Sequence, residues 1–541
     1  MQRIGKILLY CMAVLSIMML PCIIKHSTVA LAADIRNLVQ YEVKKDGVHI
    51  TDLKQNVTTL KVPRKIDGKP VVSLRIGTDW KVMKKLDVSL CKGLKKLRYT
   101  CYEMGSITEL DCSGLKKLKK LDISYSSISN LNVTGCTALR ILYADRAPLT
   151  KLDVSTCEKL ESLIIWEGDF NGEILDLNRC KNLKVLQIVD SYISKIKIDQ
   201  CEKLESLDIQ YEDYLEELNL QNCTQLKEVI LSDNRKHLDI EKLDFTHCKE
   251  LLRATICEMK IKEVSLNGCK ELKYLSLKDN DLEVLDIQGC NSLESIEITG
   301  NKLQKLDIPE CQVGSLDCRN NCLNELCLPD CLNNMYTLFC SNNKLDSLYV
   351  KEYSRLGSVF CSNNELKTLI IESPVRYVGC SSNQLESIEI SNKVNLTTFD
   401  CDNNHLKGIF DLREYPKLHT IDCSNNDIEK LLFNTKQKTV ESYYIRCSNN
   451  SLSELDLSMF NKIQEIDCRH NKIKELKLSL SLLANMEELY CSDNQLTKLD
   501  LNAENSKLTH LDCSNNQISD LKIDLCKMLK EVNVLNNPCA E

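Results

Sequence analysis

The chain has 541 residues, of which 43% are hydrophobic, 27% charged and only 5% aromatic, with 30 cysteines and a formal net charge of −7. With 17 glycines and 9 prolines it is neither collagen-like nor a low-complexity linker. An acidic balance lacks the basic stripe of a nucleic-acid binder, and so few aromatics make base-stacking platforms a poor fit.

Residues 1–33 read as a secretory signal peptide. Arg3 and Lys6 supply the positive start, Ile7 to Ile24 the apolar stretch, and Ala30-Leu31-Ala32 an A-x-A cleavage site. Cleavage would remove Arg3, Lys6 and Lys25 and leave a net charge of −10. No later stretch approaches the ~20 apolar residues that a membrane span requires. The expected location is therefore secreted, or loosely associated with the cell surface.

Residues 34–80 form the next unit, an N-terminal β cap. Tyr41-Glu42-Val43, Val48-His49-Ile50 and Thr59-Leu60-Lys61-Val62 read as short strands, with turns at Asp46-Gly47 and Asp67-Gly68. Such a cap is needed because the first turn of any stacked structure leaves an open ribbon edge.

From residue 81 to 541 the sequence repeats. The pattern is clearest in Leu508-x-x-Leu511-x-Cys513-x-x-Asn516-x-Ile518-x-x-Leu521-x-Ile523-x-x-Cys526. Aligned on the residue before Cys513, turns begin at Arg98, Asp122, Tyr143 and Ile164 and run on to Asp512 and Asn533, 435 residues in 20 steps with a mean period of 21.75. Each unit holds two short alternating segments, so each turn should contribute two short strands. Alternation points Leu511 and Cys513 inward, and Asp512 and Ser514 outward. The expected fold is a repeat solenoid, mostly parallel β with little helix: about 21 turns stacked at ~4.8 Å into two ribbons, a rod of about 100 Å.

The pattern resembles the leucine-rich repeat family, specifically bacterial L-x-x-L-x-C-x-x-N-x-L-x-x-L-D-L repeats of the internalin-like kind. The stretch from Val62 to Leu74 is similar to the lead-in of many bacterial surface proteins of that family. The resemblance implies a binding protein that acts by protein–protein interaction or adhesion at a bacterial or host surface. It departs from relatives that carry a catalytic domain or continue into further domains and a wall anchor.

The cysteines follow the same register. Twelve occupy one bend, from Cys91 to Cys311, with Cys331 and Cys526. Near residue 315 the style changes, and ten more form an inward strand column from Cys318 to Cys513. Neighbours in a column have parallel side chains ~4.8 Å apart, whereas a disulfide needs converging Cβ atoms at about 3.5–4.5 Å. The columns are therefore expected to be buried free thiols that pack as small apolar residues. Cys322 and Cys327, with Cys318 and Cys331, make C-x3-C-x4-C-x3-C, for which a local bridge and a metal site are the alternatives to neutral variation.

Asn321, Asn343, Asn364, Asn383, Asn404, Asn426, Asn450, Asn471, Asn494 and Asn516 fall at the other bend as a structural ladder. Their amides suit backbone groups that the bend would otherwise bury unpaired. At the C-terminus only Asn533–Pro538 offers a cover.

Outward strand positions are where a binding site would lie. Two places stand out on that row: Tyr143 and Ile164 with Trp166 beside them, and Phe339 with Phe360 on adjacent turns. Both read as protein-binding hot spots or as aromatics packing along the ribbon. A glycan- or wall-binding module seated at Phe339 and Phe360, and a passive envelope spacer, are the competing functions. The histidines are scattered, and no phosphate loop, H-E-x-x-H or nucleophile pair occurs. No enzyme activity, cofactor, metal or nucleic-acid partner is expected.

Overall fold

The computed structural model describes residues 34–541 except 78–82, 101–106, 213, 233–239, 331, 435–440 and 541. The signal-peptide reading of residues 1–33, and Cys101 and Cys331, lie outside the described residues.

The repeat builds one long ribbon. Its 25-stranded sheet opens with an antiparallel pair, Val39–Lys44 against Gly47–Leu53. Gly47–Leu53 then pairs parallel with Lys69–Ile76, and that strand with Lys96–Tyr99. Parallel pairing continues turn by turn to His510–Asp512 and Glu531–Asn533, about 22 turns in all. Register is strict: Leu142 faces Leu163, Leu163 faces Leu186, and Leu338 faces Val359. Every repeat therefore places the same position at the same depth, which a one-residue slip would invert.

Inside runs a single narrow apolar core, filled mainly by leucine and isoleucine with a few large side chains such as Phe170, Phe245, Tyr353 and Phe399. The buried tyrosine at 353 satisfies its hydroxyl by donating to the Pro329 carbonyl at 2.7 Å.

The second ribbon differs from the continuous one expected. It is broken into two- and three-stranded pieces, among them Glu109–Asp111 with Asn130–Asn132, Lys242–Asp244 with Glu263–Ser265, and Ser347–Val350 with Thr368–Ile371 and Glu389–Ile390. Single bridges extend some pieces, as at Ser265 and Asp286, and between pieces strand pairing lapses while backbone bonds at the bends still join neighbouring turns, as from the Lys344 N–H to the Leu323 carbonyl at 2.8 Å and from the His405 N–H to the Leu385 carbonyl at 2.9 Å. Segment length alone does not cause the breaks, since the first ribbon pairs three-residue strands such as Ser315–Asp317, Thr337–Phe339 and Ser358–Phe360 without interruption. Asp side chains fold the chain back at the end of second-ribbon segments: Asp153 accepts from the Ser155 N–H at 2.9 Å and Asp456 from the Ser458 N–H at 3.0 Å.

Helix is scarce but not absent. Ile35–Leu38 precedes the first strand, and Leu480–Asn485 fills one of the longer turns, started by Ser479, whose side chain accepts from the Leu482 N–H. Among the described residues no helix is long and apolar enough to cross a membrane.

Candidate binding face

Two bends hold each turn's shape, and each uses a polar side chain for a stated reason. At the first, Asn343 accepts from the Leu323 N–H at 3.0 Å while its amide donates to the Cys318 carbonyl of the preceding turn and the Cys340 carbonyl of its own, both at 3.0 Å. The same set recurs at Asn321, Asn364, Asn383, Asn404, Asn426, Asn450, Asn471, Asn494 and Asn516. It also extends to Asn280, Asn301 and Asn537, which the sequence reading did not include. In earlier turns other groups take the place: Glu212 accepts from the Ser191 and Ile193 N–H groups at 2.8 and 2.9 Å.

The residue before each ladder asparagine sits in the left-handed region, with φ between 49° and 60° from Asn320 through His470 to Asn536. Asparagine and aspartate tolerate that conformation best among residues with a Cβ.

At the second bend the cysteine thiol donates to a carbonyl one turn back, Cys136 to Cys112 at 3.2 Å and Cys269 to Phe245 at 3.3 Å. The strand column from Cys318 to Cys513 is fully buried, and all the described cysteines are free thiols. Burial pushes the strand-column thiols far above their ordinary range, and the bend thiol of Cys180 up to about 12.

Of the off-column pair, Cys322 is half-buried at a bend and Cys327 lies on the second ribbon. The Cys327 thiol donates to Glu325 at 3.2 Å, and its carboxylate neighbours Asp307 and Glu325 together with burial push it up to about 12. Asp307, Glu325 and Cys327 are the one grouping of metal-type donors among the described residues. Lys305 already occupies it as counter-ion, 2.9 Å from Glu325 and 3.6 Å from Asp307.

Outward positions of the first ribbon form a face. Phe339 and Phe360 stack with centroids 4.7 Å apart at 14°, and Tyr377 extends the row 4.6 Å from Phe360 with its ring tilted by 31°. Tyr377 comes from the neighbouring outward position, two residues before Gly379, and its ring lies over that glycine. A Cβ there would meet the Tyr377 ring at 3.0 Å. All three rings are half-buried by one another. Arg319 covers the free side of Phe339 at 4.8 Å and is held by two hydrogen bonds to Asp317.

The second aromatic place is built differently. Tyr143, Ile164 and Gln187 are in register, with Trp166 beside Asp145 and Val189. Trp166 is 37% exposed, and Lys120 lies over the Tyr143 ring at 4.6 Å. The two places sit on one face but many turns apart.

Beyond Tyr377 the face turns acidic. Asp400 accepts from Tyr377 at 2.7 Å on one oxygen and from Tyr444 at 3.2 Å on the other. Asp422 lies between them, its carboxyl raised above the usual range by burial first and by Asp402 second.

No protein-family model and no curated protein matches the sequence. Among solved structures, YopM from Yersinia enterocolitica is similar over 89% of this chain and 88% of its own, at 20% identity and a TM-score of 0.53. The fold is that of a leucine-rich-repeat solenoid. The functional domain of InlJ from Listeria monocytogenes, described as including a cysteine ladder, is 24% identical over 59% of this chain and 69% of its own, with a TM-score of 0.45. A leucine-rich repeat protein from Bacteroides eggerthii is 14% identical over 70% and 68%, with a TM-score of 0.42. Leucine-rich-repeat solenoids are generally interaction scaffolds rather than enzymes, because stacking presents one extended surface and no enclosed cleft.

Proposed function

We propose that this protein is exported and binds a protein partner through the outward face of its first ribbon, in adhesion or host interaction at the cell surface. The observation that carries the reading is the three-ring stack of Phe339, Phe360 and Tyr377. It occupies three successive turns whose outward strand positions hold no charge, between Arg319 on one side and Asp400 on the other. Rigid aromatic surface on an otherwise polar sheet is what binding hot spots are made of. The Tyr143, Ile164 and Trp166 place is a second anchor on the same face.

The test is capture from host and bacterial surface extracts by the parent protein and by a Phe339→Ser, Phe360→Ser variant, read by mass spectrometry. A protein partner held by the parent and lost by the variant supports the reading. Capture released by soluble sugars would make the face a glycan-binding one, and equal capture by both proteins would remove the stack from any binding role.

A further inference from the structure

The charge along the face changes abruptly at the end of the aromatic stack. The three turns that carry Phe339, Phe360 and Tyr377 have no charged group at their outward strand positions. The next seven turns, from Thr398 to Leu535, present eight carboxylates against two arginines there. Both arginines are already committed. Arg446 is held by two hydrogen bonds to Glu465 at 2.7 and 2.8 Å, and Arg469 by two to Asp467 at 2.9 and 2.7 Å.

Immediately beside the stack, Asp400 and Asp402 have no ion pair among the described residues, whereas Asp422 stands in register with Arg446 of the next strand. Asp400 is hydrogen-bonded by two neutral tyrosines, which orient it without cancelling its charge. Asp402 accepts from Asn403, again a neutral donor. The tract keeps its negative field, and the adjoining rings offer apolar surface.

We infer that the partner presents a segment with an aromatic or apolar anchor followed by lysine or arginine side chains. Its anchor seats on Phe339, Phe360 and Tyr377, and its cations lie over Asp400 and Asp402. This rests on the reading that the first-ribbon face binds a protein, and it adds the chemistry of that protein. Complementary charge beside an apolar anchor fixes register and repels acidic competitors. It also speeds encounter at low salt.

The experiment is selection of a displayed random-peptide library on the purified protein, with the enriched pool then measured against variants. Enriched peptides are expected to combine an aromatic residue with lysine or arginine. Their affinity should fall by about tenfold or more in an Asp400→Asn, Asp402→Asn variant and on raising the salt. Circular dichroism and the unfolding midpoint establish that the variant is folded, and a single Asp402→Lys variant serves if it is not. An enriched pool without basic residues, an unaltered affinity in the aspartate variants, or no enrichment at all overturns the inference. If binding ignores the aspartates yet is lost in Phe339→Ser, Phe360→Ser, the face still binds and only the charge assignment falls. If neither set of changes matters, the face reading falls with it.

Discussion

Tyr377 and Tyr444 reach the same carboxylate from opposite directions, Tyr377 from the turn before Asp400 and Tyr444 from two turns after it. Asp422 lies beneath that span. The arrangement spans four successive turns of the face and ties three of them through side chains alone, so the surface around Asp400 is held in one shape before any partner arrives.

Gly379 permits this arrangement, and its replacement tests it. In Gly379→Ala the new methyl group would lie 3.0 Å from the Tyr377 ring and 3.1 Å from its hydroxyl oxygen. The ring should leave Phe360 and Asp400, with little change in overall stability because the site is at the surface. Near-ultraviolet circular dichroism should lose tyrosine signal to the same extent as in Tyr377→Ala. An unchanged spectrum would mean that the ring tolerates the methyl group in place.

The asparagine ladder should be costly to interrupt. Asn343→Leu removes the acceptor for the Leu323 N–H and the donor to the Cys318 and Cys340 carbonyls, all buried. A loss of about 1–3 kcal/mol is expected, the penalty for leaving a buried polar group unpaired. Urea unfolding gives the size of the effect, and hydrogen exchange its place. The Leu323 amide should exchange faster, and an amide as protected as in the parent would refute its dependence on Asn343.

The thiol columns give a chemical prediction. Thermal unfolding should be the same with and without a disulfide reductant, since all the described cysteines are free. A thiol reagent at neutral pH should label exposed Cys539 first and half-buried Cys257, Cys322 and Cys327 more slowly. The column thiols should react only after unfolding, being both buried and held protonated. A large drop in unfolding temperature on reduction would show that bridges exist.

Asp422 should give the protein a distinctive pH response. Its carboxyl is raised in the folded chain, so the folded state binds the proton more tightly than the unfolded state. Its contribution to stability therefore falls as pH rises from the ordinary carboxylate value through the raised one. Asp422→Asn keeps an acceptor for the Ser424 N–H, now at 3.0 Å, and removes the buried charge. The variant should unfold at a higher temperature than the parent at neutral pH, with the difference shrinking in acid. A lower midpoint at neutral pH would mean that the ionised group is stabilising.

The solenoid was legible because its period is written in leucine positions that the register keeps at constant depth, as from Leu142 to Leu163 to Leu186. Asn280 and Asn301 lie outside the sequence signature because the inward cysteine that marks the ladder begins only at Cys318. Both stand four residues after the outward positions Ser276 and Glu297, and that spacing alone would have found them. Tyr377 has no mark in the outward row that carries Phe339 and Phe360, because in its turn that position is Gly379 and the tyrosine stands two residues earlier. The breaks in the second ribbon had no signal: Lys-Leu-Asp occurs both at Lys305–Asp307, which is paired with Glu325–Cys327, and at Lys151 to Asp153, which joins its neighbour by a single bridge at Lys151. Pairing there depends on the spacing between turns, which no local residue pattern records.

That interruption gives the molecule two sides of unequal compliance. Along the first ribbon a hydrogen-bonded ladder runs unbroken from end to end, and lengthening it would rupture bonds at every turn. Along the second, strand pairing stops between pieces, and neighbouring turns are held there by bonds at the bends, such as the His405 N–H to the Leu385 carbonyl at 2.9 Å. Bending that opens the second side therefore breaks fewer strand-pairing bonds than bending that opens the first, and leaves the aromatic and acidic surface of the first in register.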